Sequence, residues 1–200
     1  MMLTVYFLRH GQTQWNAENN RYCGRTDIPL TDLGRQQAEA VGRLLKDVPF
    51  EGIYSSPLQR AYQTAGLAGG GREVTVDQRL IEADFGKWEG KTKEQFLAEI
   101  PNTWPAWLQD PMTTQAGGTG ETGKEIIERM DGFFQSMLAN HLSGNILVTA
   151  HNGINRLYMA YKLGMNVKHY RRLHMDNCSV TIFQLDQDGE FVLLQLNAQR

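Results

Sequence analysis

Cysteine is almost missing from this sequence: Cys23 and Cys178 are the only two. Thiols so far apart make neither a disulfide framework nor a zinc pattern, so a reducing, cytoplasmic setting is the expectation. Long apolar runs are missing as well, and none approaches the roughly 20 residues that span a bilayer. The N-terminal apolar residues Leu3, Val5 and Phe7 have no basic start and run straight into Arg9-His10, unlike a signal peptide. Charge of one sign is not in excess, since 20 basic and 22 acidic residues leave a net −2. That balance argues against a general nucleic-acid surface, and the lack of a spanning apolar run against a membrane partner. Repeats and low-complexity segments are absent. A local anion pocket survives all of these exclusions, because it needs only a few convergent cations.

What is present is an ordinary globular composition, 41% hydrophobic and 21% charged over 200 residues. That length buries a sizeable core within a single domain, expected here over residues 1–200. Residues 3–8 read as a buried strand, and residues 11–29 as a long polar loop of the kind that often carries function. Thr31 caps a helix reaching about Lys46, and residues 52–55 form a short strand. Ser56-Pro57 opens the next helix, with serine as N-cap and proline at the first helical position. The triglycine Gly69-Gly70-Gly71 ends that region, and residues 74–76 suggest a further strand.

Residues 80–122 are the least regular, with helical pieces near 93–100; the part from about 91 to 120 reads as an insertion over the sheet edge. Residues 122–142 form a long amphipathic helix with Ile126, Met130, Phe133, Phe134 and Met137 on or near one face. Residues 145–150 are a buried strand followed at once by a helix to about Leu163, and residues 179–185 and 190–196 pair as a hairpin. Strands alternating with helices predict an α/β fold: a three-layer sandwich with a mostly parallel central sheet, helices on both faces and the inserted helical and loop region over the strand ends.

Two strands end alike. Arg9-His10-Gly11 follows the first, and His151-Asn152-Gly153 follows the one at 145–150. If these strands are parallel neighbours, the two histidines meet at one edge, where ligand sites of open α/β sheets gather. The helix after Gly153 then aims free N–H groups and its positive dipole end at the same edge. Arg60 falls in the first turn of the helix opened at Ser56-Pro57. Singly, each residue has a plain structural reading, a satisfied turn for His10 and a solvated surface charge for Arg60. Together, two arginines and two histidines make a tetracationic cradle suited to a phosphoryl group.

With these residues in place the chain resembles the histidine phosphatase superfamily, in its phosphoglycerate-mutase-like branch. The segments that carry the resemblance are Leu8-Arg9-His10-Gly11-Gln12-Thr13 with Asn16, Gly24, Asp27 through Gly34, and Ser55-Ser56-Pro57-Leu58-Gln59-Arg60-Ala61 with Gln63-Thr64-Ala65. Leu80-Ile81-Glu82, Phe85-Gly86, Trp88-Glu89-Gly90, Gly120-Glu121-Thr122 and Val148-Thr149-Ala150-His151-Asn152-Gly153 complete it. The resemblance implies that His10 is a nucleophile forming a phosphohistidine, with Arg9, Arg60, Asn16 and His151 on the phosphoryl oxygens. Arg9, Arg60 and a cationic His151 then disfavour protonation of His10, whose other ring N–H is held by a backbone carbonyl. Glu82 matches the proton donor to the leaving oxygen, ahead of Asp84 and Glu89. Gln12, Tyr22, Cys23, Gly24 and Asn152 complete the implied phosphate- and substrate-binding set. The sequence departs from the family pattern at Cys23, where a polar non-thiol residue is usual, and at Asn152-Gly153, where two glycines are common. Cys23 raises the prospect of sensitivity to oxidants.

The expected activity is a metal-independent phosphatase, with no cofactor, acting on small-molecule phosphomonoesters. A phosphoglycerate mutase is the alternative, disfavoured because such mutases carry a larger insertion after the acid; a non-catalytic phospho-ligand module is a third reading. A homodimer is left open. His141, His169 and His174 are assigned structural or surface roles. The Lys168–Arg172 run reads as a solvated face rather than a nucleic-acid patch, with one arginine reaching a distal acid group of the substrate as the lesser alternative. Phe96, Trp104 and Trp107 pack the insertion or line the pocket mouth, and specificity is expected to lie at about 91–120.

Overall fold

The computed structural model describes residues 2–141 and 143–198, and its centre is a six-stranded sheet. The strands are β1 (Leu3–Arg9), β2 (Phe50–Ser55), β3 (Thr75–Val76), β4 (Gly144–Ala150), β5 (Val180–Leu185) and β6 (Phe191–Ala198), in the order β3-β2-β4-β1-β5-β6. Pairs β1–β4, β2–β4 and β2–β3 are parallel, whereas β5 joins β1 and β6 in antiparallel fashion. The central strands are apolar on both faces. Leu3, Val5 and Phe7 enter one core with Ile146, Val148 and Ala150, and Leu8 and Leu147 enter the other. This two-sided burial is what the near-continuous apolar runs predict.

The described residues form seven α-helices: α1 (Gln14–Ala17), α2 (Asp32–Leu44), α3 (Gln59–Ala68), α4 (Lys93–Glu99), α5 (Thr103–Gln109), α6 (Gly123–Asn140) and α7 (Asn152–Lys162). Ala38 and Val41 of α2 and Ala65 and Ala68 of α3 cover one face; Ile126, Met130, Phe133 and Phe134 of α6 and Ile154 and Leu157 of α7 cover the other. Thr31 caps α2 by accepting from Gly34 N–H, and Thr122 forms a capping box with Glu125 at the start of α6. Leu142, the expected last residue of that helix, lies outside the described residues. Among the described residues, no helix is long and apolar enough to cross a membrane.

Two expectations fail in detail. Helix α3 begins at Gln59, not at Ser56-Pro57, and its N-cap position is Leu58 with no side-chain bond. Asp27 supplies the missing acceptor, receiving the Gln59 N–H at 2.8 Å, while Ser56 Oγ accepts from Leu58 N–H at 3.3 Å and also meets His151. Helix α5 was not anticipated within the irregular stretch. Pro105 masked it, yet proline costs little in a first turn, where the N–H has no helical partner. Its Trp104 and Trp107 pack with Trp88 and Phe96 of the same segment, with ring centroids 5.1 to 5.9 Å from Trp88.

After β1 the chain runs to helices on one face, and after β4 to α7 on the other. The carboxyl ends of β1 and β4 therefore flank a crevice at a switch in winding direction, where open α/β sheets bind ligands.

Candidate active site

Parallel pairing sets the histidines side by side. Arg9 is the register partner of Ala150, and the ladder continues as His10 N–H donates to Ala150 O at 3.1 Å. The next residue on each strand is thus a histidine, and the two rings lie 5.1 Å apart between centroids. His10 Nδ1 is 2.7 Å from Gly11 O. A carbonyl can only accept, so Nδ1 carries the proton and Nε2 keeps its lone pair. Burial, reinforced by the charges of Arg60 and Arg9, holds His10 well below its ordinary pKa. Three contacts fix the loop: Gly11 N–H donates to Thr64 Oγ1, Thr64 Oγ1 donates to Arg60 O, and Asn177 Nδ2 donates to His10 O.

His151 is fully buried, with Nε2 2.7 Å from Ser56 Oγ. Burial, then Arg60 and His10, press its pKa well down too. That direction runs against the cationic His151 expected from the sequence, and leaves the cradle's fixed positive charge to the arginines. Burial lowers Arg9 only to about 10, so it stays protonated at neutral pH; its Nη1 donates to Met175 O at 2.7 Å.

Arg60 is completely buried and organises the loop opposite. Its Nη1 donates to Thr26 O at 2.8 Å, and its Nη2 to Gly24 O at 2.8 Å and Cys23 O at 3.2 Å. The loop's N–H groups face the other way. Gly24 and Thr26 N–H donate to the Glu89 carboxylate at 2.9 and 3.0 Å, so the expected phosphate contact from Gly24 is replaced by an internal anchor. Gln12 departs likewise: Thr31 Oγ1 donates to its Oε1 at 3.0 Å, drawing it to the start of α2 and away from the cavity.

Glu82 is buried against the start of α7, where its carboxylate accepts from Gly153 N–H at 3.0 Å and Ile154 N–H at 3.1 Å. The free N–H groups expected to meet a ligand anion are therefore taken by Glu82 itself, because a buried carboxylate needs compensating donors. Burial outweighs those bonds and raises the Glu82 pKa above the usual carboxylate value. The competing acids are otherwise engaged. Asp84 Oδ1 accepts from Gly86 N–H, and Glu89 holds the Gly24 loop.

A cavity of about 120 Å³ joins Arg9, His10, Asn16, Glu82 and Asn152, with Tyr22 and Cys23 also on its wall. Asn16 Oδ1 accepts from Thr13 N–H and Asn177 Nδ2. Arg9 Nε, Arg60 Nε, His151 Nδ1 and Asn152 Oδ1 are buried without a partner among the described residues. Burial pushes the Cys23 thiol up to about 11, which disfavours the thiolate that oxidation requires.

Arg171 of the basic run reaches the cavity, and so do Arg21, Arg156 and Tyr170, which sequence reasoning missed. Spacing contained a signal for Arg156, since it lies four residues after Asn152 and shares its helix face. Nothing in the sequence marked Asn177. Trp104 and Phe96 are buried in the core, and Trp107 packs there while also lining the cavity. His141 bonds Tyr54 Oη and His174 bonds Asp176, both away from the cavity.

Comparison with known proteins agrees with this geometry. The model of the histidine phosphatase superfamily (branch 1) matches residues 5–199. Phosphoserine phosphatase 1 of Hydrogenobacter thermophilus is 28% identical over 198 residues, covering 98% of this chain and 92% of that protein. The phosphoserine phosphatase of Entamoeba histolytica in complex with 3-phosphoglyceric acid superposes with a TM-score of 0.89 at 28% identity, covering 99% and 98% of the two chains. A mycobacterial glucosyl-3-phosphoglycerate phosphatase in complex with VO3 gives a TM-score of 0.86 at 32% identity, covering 98% and 99%. With a mixed, mostly parallel sheet that brings His10 to His151 and a family match over nearly its whole length, the chain belongs to branch 1 of the histidine phosphatase superfamily.

Proposed function

We propose that the protein is a phosphatase that hydrolyses small-molecule phosphomonoesters through a phosphohistidine on His10, with no requirement for a metal ion. The carrying observation is the pairing of an unprotonated His10 Nε2 with a buried Glu82 whose pKa is raised. The His10 lone pair attacks phosphorus as the ester P–O bond breaks, and Glu82 gives its proton to the departing oxygen. Water then attacks phosphorus, the P–N bond breaks, and the Glu82 carboxylate takes up the water's proton, releasing phosphate and restoring His10. Arg9 and Arg60 supply charge to the phosphoryl oxygens, with His151, Asn16 and Asn152 as further polar contacts.

Hydrolysis of p-nitrophenyl phosphate in the presence of a chelator tests this reading. It is expected to persist in the wild type and to vanish in His10→Ala, and wild-type protein is expected to take an acid-labile, base-stable label from substrate phosphate. Turnover retained by His10→Ala removes the covalent mechanism. Phosphoryl exchange between the two monophosphoglycerates, faster than phosphate release, assigns a mutase instead.

A further inference from the structure

One side chain holds both the nucleophile and a phosphoryl contact, from the far end of the sequence. Asn177 Nδ2 is 3.0 Å from His10 O and 3.2 Å from Asn16 Oδ1. A backbone carbonyl only accepts, so the Asn177 atom facing it is the NH2 nitrogen. Its second proton goes to Asn16. The Asn16 amide is oriented by the same logic, because Thr13 N–H, which only donates, lies 3.1 Å from its Oδ1. Asn16 Nδ2 is therefore on the arm turned away from Thr13 and Asn177, and Asn16 lines the cavity.

The grip on His10 O reaches the imidazole through two planar peptide units. The His10–Gly11 peptide is held at both edges, its carbonyl by Asn177 and its N–H by Thr64 Oγ1 at 3.0 Å. The Gly11–Gln12 peptide gives its carbonyl to His10 Nδ1 at 2.7 Å and its N–H to Gln37 Oε1 at 3.0 Å. Turning the first plane moves Gly11 O, and with it the acceptor that keeps the Nε2 lone pair free. The backbone is wedged at Gly11, where a Cβ would lie 2.4 Å from Gly34 O. The segment that carries Asn177 is itself fixed. Cys178 N–H donates to Arg9 O at 3.1 Å, Met175 O accepts from Arg9 Nη1 at 2.7 Å, and Asn197 Oδ1 accepts from Asp176 N–H at 2.7 Å. Residues 175–178 thus touch Arg9, His10 and Asn16, three members of the phosphoryl cradle.

We propose that Asn177 is a positioning residue, whose NH2 group sets the His10 ring and the Asn16 amide at the mutual angle that phosphoryl transfer needs. This rests on the phosphatase reading of His10. Asn177 does not line the catalytic cavity, so it acts only through the two residues it holds. A misplacement of reacting groups by about 1 Å costs up to ~10²-fold in rate. Two ordinary hydrogen bonds therefore weigh more on turnover than on stability.

Two variants separate the donor from the bulk. Asn177→Asp keeps the shape but turns carboxylate oxygens toward two acceptors, whereas Asn177→Ala removes shape and donor together. In both, kcat/KM is expected to fall about 10- to 100-fold, with Asn177→Asp no better than Asn177→Ala. The fall is expected to be equal on p-nitrophenyl phosphate and on an alkyl phosphate, because the nucleophile and phosphoryl contacts serve both esters alike. Wild-type kcat/KM in Asn177→Asp overturns the donor role and leaves the phosphatase reading intact. A double-mutant cycle reads the link to Asn16, and it decides also where Asn177→Asp fails to fold. The loss from Asn177→Ala is expected to be about threefold or more smaller in an Asn16→Ala background. A general loss of folded protein scales both backgrounds equally, so equal losses overturn the proposal. If the wild type turns over no ester, the phosphatase reading fails instead, and calorimetric binding of inorganic phosphate decides the positioning. Weaker binding in Asn177→Ala, with no further weakening in an Asn16→Ala background, supports it, and unchanged binding overturns it.

Discussion

The Glu82 carboxylate and the Gly153 amide are 3.0 Å apart, and a methyl group on Gly153 would lie only 2.7 Å from Glu82 Oε1. Glycine at 153 is therefore a condition for seating a carboxylate on the first turn of α7. The Gly153→Ala variant is expected to lose ~1–3 kcal/mol of stability through overpacking and to lower kcat on alkyl phosphates. Urea denaturation and steady-state kinetics measure both; wild-type values in each contradict the proposed seat.

Replacing the acid separates good from poor leaving groups. Glu82→Gln is expected to slow hydrolysis of an alkyl phosphate by about 10²–10⁴, the usual worth of general acid catalysis. The loss on p-nitrophenyl phosphate is expected to be much smaller, since its leaving oxygen needs no proton. Equal losses on both esters would show that Glu82 does not protonate the leaving group.

The pH profile follows from the signs of two shifts. His10 is depressed, so on lowering pH its nucleophilic form is lost only well below the ordinary imidazole value of about 6.5. Glu82 is raised, so on raising pH its proton is kept past the ordinary carboxylate value and then lost, and activity falls with it. The profile of kcat/KM is expected to be bell-shaped, and Glu82→Gln is expected to abolish the alkaline limb. An acid limb at or above pH 6.5 contradicts the assignment of His10.

Arg60 anchors a loop in addition to its proposed part in binding the phosphoryl group. Arg60→Ala strips the donor from the carbonyls of Cys23, Gly24 and Thr26, and each buried acceptor left unmade costs about 1–3 kcal/mol. Thermal and urea unfolding are expected to show a clear destabilisation alongside lost activity. An unchanged unfolding midpoint would mean the loop is held by Glu89 alone.

Cys23 is expected to be a sluggish thiol. With its pKa near 11, about one molecule in 10⁴ carries the thiolate at pH 7. Iodoacetamide modification of Cys23, followed by mass spectrometry, is expected to rise about tenfold per pH unit between 7 and 10. Rapid labelling at pH 7 would restore the oxidant-sensitive reading.

Much of the scaffold was legible because it depends on short-range pattern. Two-sided apolar runs mark β1 and β4, Thr31 and Thr122 mark helix starts, and residues 179–196 read as a hairpin. The expectation that His10 and His151 meet depended on parallel pairing of their strands, and that pairing is present. Helix α5 escaped because two tryptophans and three prolines, Pro101, Pro105 and Pro111, dilute the helical period. Ser56 falls three residues short of the helix start: its hydroxyl accepts from Leu58 N–H and is shared with His151, 95 residues away.

Hydrophobic period and capping chemistry act over a few residues, so the sequence by itself determined the α/β class, the strand ends carrying Arg9-His10 and His151, and the helix that brings Arg60. The tertiary structure decided which donors meet which acceptors. Glu82 takes the α7 amides, Glu89 takes the Gly24 loop, and Arg156 and Arg171 are left facing the cavity. Those choices depend on burial and close packing between segments tens of residues apart, where a polar group must find its partner in space. No local pattern encodes that competition.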